Sequence, residues 1–114
     1  MARKSKFIPL PGSIKVGYQD FKVGIHPIPD STDYHGYTKK NESEMMFTCK
    51  GNPVEQANTV IHECLHAIWH IQGLQDQDGQ EERIVNALAN GLTGLMRDNP
   101  GLVKFLLDRL GIPV

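Results

Sequence analysis

Two histidines four residues apart, His62 and His66, sit inside Val60-Ile61-His62-Glu63-Cys64-Leu65-His66-Ala67-Ile68, a run whose other members are mostly apolar. No other feature of the chain constrains its fold as strongly. In a helix, positions 62 and 66 lie one turn apart on the same face. Both imidazoles can then bind a single metal ion while Glu63, on the neighbouring face, reaches a water on that ion. The flanking residues supply the helix. Asn52 reads as its N-cap, Pro53 as its first residue and Glu55 as the closing member of a capping box, while Gly73 is a natural stop. About 20 residues between them would span roughly 30 Å, the width of a small domain, so the histidine pair is central. A chance H-E-x-x-H would arise in a chain of this length and composition on the order of 1% of the time.

The 114 residues allow one domain with one core, large enough to need no disulfide support. A formal net charge of -1 argues against a partner chosen by bulk electrostatics, so nucleic acid is not implied. Arg3, Lys4 and Lys6 give residues 1–12 the character of a basic tail. Pro9, Pro11 and Gly12 interrupt any apolar segment behind it, which argues against an export signal. No stretch is long enough to cross a membrane. Cys49 and Cys64 are read as free thiols: Cys64 lies two positions from each histidine, points away from them on a helix, and packs as a small apolar group. Free thiols fit the cytoplasm.

Residues 13–114 form the single domain. Ile14 to Tyr18 and Phe21 to Ile25 alternate apolar with polar or small residues and read as a β-hairpin turning at Gln19-Asp20. Ser31 to Ser43 is polar and reads as a loop carrying Tyr34, His35 and Tyr37. Glu44 to Lys50 has the composition of a third strand leading into the capped helix. Asp78 and Glu81 form a second capping-box pattern, followed by Ile84, Val85, Leu88, Ala89, Leu92 and Leu95 at helical spacing up to Arg97 or Asp98. A third helix runs from Pro100 to Leu110, with Leu102, Val103, Leu106, Leu107 and Leu110 as its apolar stripe. This stripe and Trp69 are expected in the core, with any exposed part free to mediate dimerisation, so monomer and homodimer both stay open. The fold class is α+β, an antiparallel sheet of about three strands followed by three helices.

A catalytic zinc held by two imidazoles needs a third protein ligand and an open position. Glu81 and Glu82 follow His66 by 15 and 16 residues, close enough for an antiparallel helix to return either one to the pair. Glu81 lies nearer the apolar stripe but also suits a capping role, and the spacing alone leaves both open.

His62-Glu63-x-x-His66 with a glutamate on the next helix resembles the zincin metallopeptidases of the gluzincin type. Glu82-Arg83-Ile84-Val85-Asn86-Ala87-Leu88-Ala89 is similar to the E-x-x-A-N-x-F-A pattern of ImmA/IrrE-like metallopeptidases, with Val85 and Leu88 in place of Ala and Phe. The thermolysin group carries an Asp four residues after its ligand Glu, where this chain has Asn86. The overall layout also resembles small metallopeptidase-like proteins of tailed phages. The resemblance implies a zincin-like domain in which His62, His66 and Glu82 hold Zn²⁺, Asn86 supports a ligand and Glu63 is the general base for hydrolysis of a peptide bond. It also implies a peptide or protein substrate lying along the strand at residues 45–50, and, for a phage protein, action in the host cytoplasm.

Tyr34, His35 and Tyr37 are candidates by type for stabilising an oxyanion. His70, at the end of the helix, is expected to meet the dipole or solvent, and His26 has no partner in sequence. A second reading keeps the fold and the metal but not turnover, as in a regulatory or assembly factor, and a third treats the motif as coincidence.

Overall fold

The computed structural model describes residues 8–25, 35–48 and 50–113. His26, Tyr34, Cys49 and the basic residues of the tail lie outside them. The class is α+β. A four-stranded sheet, β1 (Ser13–Val16), β2 (Gln19–Ile25), β3 (Gly36–Lys39) and β4 (Glu44–Phe47), is followed by α1 (Pro53–Ile71), α2 (Glu81–Asp98) and α3 (Pro100–Arg109). A short 3₁₀ turn at Gln77–Gly79 precedes α2.

The sheet differs from the expected one in three ways. Its order is β1-β2-β4-β3, and β2 pairs with β4 in parallel, so it is mixed. The extra strand, β3, comes from the polar segment expected to be a loop. It forms a hairpin with β4, whose second strand docks on β2. The first hairpin turns at Gly17-Tyr18 and not at Gln19-Asp20. Gly17 adopts φ 60° there, and a Cβ on it would stand 2.6 Å from Ile71 on α1, so both the turn and the helix packing exclude a side chain. Pairing Ile14 with Phe21 leaves the inward set unchanged, because the register moves by an even number of residues.

One sheet face meets α1. Val16, Phe21, Met45, Phe47 and Ala67 form its buried core, flanked by Val60, Cys64 and Ile71 of the helix. The other face carries charge, such as the exposed pair of Lys15 and Asp20. Asn52 caps α1 as expected: its side chain accepts from the Glu55 N–H at 2.9 Å, and Glu55 accepts from the Asn52 N–H. The second capping box does not form. Asp78 lies inside the 3₁₀ turn at φ 58°, and the N-cap of α2 is Gln80. Asp76 instead accepts from the Glu81 N–H at 2.8 Å, which frees the Glu81 side chain.

Helix α2 packs along α1 through Val85 and Ala89, while Leu88, Leu92 and Leu95 stay exposed. The stripe of α3 is not core either. The helix buries none of its residues, and among the described elements α2 is the one it meets. Trp69 is half-buried. Among the described residues no helix is long and apolar enough to cross a membrane.

Candidate metal centre

Helix α1 presents His62 and His66 from its middle turns, and the start of α2 comes back over them. The two Nε2 atoms lie 3.2 Å apart. Glu82 reaches both, its Oε1 2.9 Å from His62 Nε2 and its Oε2 2.8 Å from His66 Nε2. This triad is the group among the described residues whose donor atoms converge closely enough for one ion. The imidazoles are largely buried, whereas the Glu82 side chain is 69% exposed, so the site opens to solvent on its carboxylate side.

Glu81 serves a different role from its neighbour. Its Oε2 lies 2.6 Å from His66 Nδ1 and accepts from Lys40 Nζ at 2.8 Å, with only 9% of the side chain exposed. Burial pushes the Glu81 carboxyl up, but the hydrogen bonds from Lys40 and His66 outweigh it and hold it below the usual carboxylate range. An ionised carboxylate can only accept, so His66 must donate through Nδ1–H. The other ring nitrogen of His66, Nε2, faces Glu82 and His62. These three donor atoms lie close enough together that they could hold one cation. Two imidazoles and a carboxylate are a donor set that could hold zinc, and a carboxylate behind a ligating imidazole is a usual support of such a site.

Asn86 lines the same cleft, and the far nitrogen of His66 is held by Glu81. Lys40 and Thr38 had no signal in the sequence. Lys40 follows β3, held there by Gln19, whose Nε2 donates to the Lys40 carbonyl at 3.0 Å. Thr38, on β3, donates to Glu63 Oε1 at 2.6 Å, and the Glu63 residue is only 6% exposed.

Around the triad lies a cleft of about 620 Å³ lined by Glu63, Asp76, Glu81 and Glu82 against Lys40, an acidic balance that suits a cation. Strand β3, with Gly36, Tyr37 and Thr38, forms its wall, and none of the described residues 45–48 and 50 does. Residues 45–47 of the expected substrate strand are already paired on both sides within the sheet. Among the described residues β3 pairs on one side only. His35 also lines the cleft, and its Nδ1 is buried with no hydrogen-bond partner among the described residues. His70 sits in the last turn of α1. Cys64 is a free thiol packed against the core, its pKa raised by burial and then by Glu63.

Comparison of the chain with protein-family models, with curated proteins and with solved structures finds no match.

Proposed function

We propose that the protein is a zinc-dependent peptidase of gluzincin type, acting in the cytoplasm on peptide or protein substrates. One observation carries this reading: the Nε2 atoms of His62 and His66 and the carboxylate of Glu82 converge in a cleft that also contains Glu63. His62, His66 and Glu82 would hold the metal. Zinc, when bound, supplies Lewis acidity that eases deprotonation of water and polarises a carbonyl.

The remaining work falls to side chains. Glu63 takes a proton from the attacking water and returns it to the leaving amine. Thr38 fixes the Glu63 carboxylate by its hydrogen bond to Oε1, so the base does not swing away from the cleft. Glu81, anchored by Lys40, keeps the His66 proton on Nδ1. Strand β3 stands at the cleft wall, where an extended peptide would run. A reduced Cys64 agrees with a reducing compartment.

Native mass spectrometry of the zinc-reconstituted protein tests the site, and a peptide library tests turnover. One zinc per chain and cleavage that disappears in Glu63→Gln are expected. A chain that takes up no zinc after reconstitution would sink the proposal, and zinc without cleavage of any peptide would leave a metal-binding factor in its place.

A further inference from the structure

Helix α3 is regular over ten residues yet buries none of them, and α2 is its main contact. Isolated helices of that length are marginal in water. Its Leu102, Phe105, Leu106 and Leu110 are between 39% and 72% exposed, and α2 adds exposed Leu88, Leu92, Leu95 and Met96. The spacing of residues 88, 92 and 95 puts them on one flank of α2. The other flank carries Glu82, Asn86, Asn90 and Arg97 along the clefts. At roughly 200 Å² for a large apolar residue, the eight side chains leave on the order of 750 Å² uncovered. Monomeric proteins rarely expose more than about 300–600 Å² in one patch, whereas a standard interface takes about 800 Å² from each partner.

We propose that this surface is the interface of a homodimer, in which the α2–α3 units of two copies pack against each other about a twofold axis. The area is what one such partner needs. The charges around it favour a second copy over other occupants. On α3, Arg109 pairs with Asp108, so that part of the surface is close to neutral and does not repel itself. A membrane-binding helix would carry unpaired cations beside its apolar face, and on α3 one of the two cations, Arg109, is already matched by Asp108. The metal cleft lies on the opposite flank of α2, so dimerisation leaves it open.

Sedimentation equilibrium of the full chain decides the matter. Wild type is expected at twice the 12.7 kDa chain mass. Leu106→Glu and, separately, Phe105→Lys should sediment as monomers with unchanged helical circular dichroism and one zinc still bound per chain. Leu74→Glu, exposed but outside the surface, should remain dimeric. The proposal is overturned if wild type is monomeric at its highest soluble concentration, or if both folded variants stay dimeric. Monomeric wild type that floats with phosphatidylserine vesicles would equally overturn it and assign the surface to lipid. Should a variant unfold, diluting wild type below its dissociation midpoint must accelerate amide exchange in α3; unchanged exchange through dissociation overturns the proposal.

Discussion

Helix α2 has two flanks that differ in where their partners come from. Along one run Glu82, Asn86 and Asn90, whose surroundings are other parts of the same chain: Glu82 meets both histidines and Asn90 accepts from Asn58. Along the other run Leu88, Leu92 and Leu95, exposed and without comparable cover. Between them Val85 and Ala89 dock on α1. An amphipathic pattern therefore specified two different things in one helix. Part of its apolar set makes the intrachain core, and part is surplus to it, because among the described residues α1 is the broad surface that α2 meets.

The largest effect should come from the polar flank. Glu82→Ala removes the carboxylate that touches both Nε2 atoms, and zinc detected by native mass spectrometry should fall from one per chain to none. Leu88→Ala, two turns further along on the other flank, should keep the full zinc complement. Equal loss in both would erase the distinction between the flanks. Next in size is Glu63→Gln, which faces the polar flank across the cleft. It should lower peptide turnover by about 10²–10⁴-fold, the range for losing a general base, with zinc retained. Turnover that survives would remove Glu63 from the chemistry.

Glu81 sharpens the comparison, since it precedes Glu82 but points behind the histidine. Glu81→Gln keeps the shape and loses the charge that fixes His66. Zinc affinity measured by competition with a chelator should weaken by about 10–100-fold, the usual consequence of losing such support. Stoichiometry should stay at one. Complete loss of zinc in Glu81→Gln with retention in Glu82→Ala would exchange the roles of the two residues.

Much of this was legible in the sequence, for reasons that can be traced to single residues. The boundaries of α1 follow from Asn52, Pro53 and Glu55, whose capping chemistry is local, and the histidine pair needs only helical spacing. Spacing could not separate Glu81 from Glu82. The resemblance to gluzincins pointed to Glu82, whose carboxylate lies against both histidines. Strand β3 was illegible because Gly36-Tyr37-Thr38-Lys39 is short and half polar. It becomes a strand only because β4 is beside it to pair with. The same gap hid Thr38 and Lys40, whose roles depend on that strand reaching the cleft. Asp78 was misread as a cap since the pattern ignores backbone conformation, and Asp76 was already placed to accept from Glu81. The stripe of α3 has helical periodicity, but periodicity does not say whether a partner lies in the same chain.

The smallest predicted effect separates the flanks by the way it depends on concentration. Asn58 on α1 donates to Asn90 at 2.9 Å and to Thr93 at 3.2 Å, bonds made within one chain. Asn58→Ala should cost about 1 kcal/mol, roughly fivefold in the folding equilibrium, and lower the melting temperature by about 4 °C. That shift relative to wild type should be the same at every protein concentration, because the lost bonds do not cross between copies. Leu88→Ala acts on the other flank. Its shift should vary with concentration, since dimerisation adds a stabilising term that depends on how much partner is present. Melting both variants and wild type over a hundredfold dilution series by calorimetry and fluorescence reads the difference directly. A constant shift for Leu88→Ala would mean that its partners also lie within the chain, and the contrast between the two flanks of α2 would then reduce to one of polarity alone.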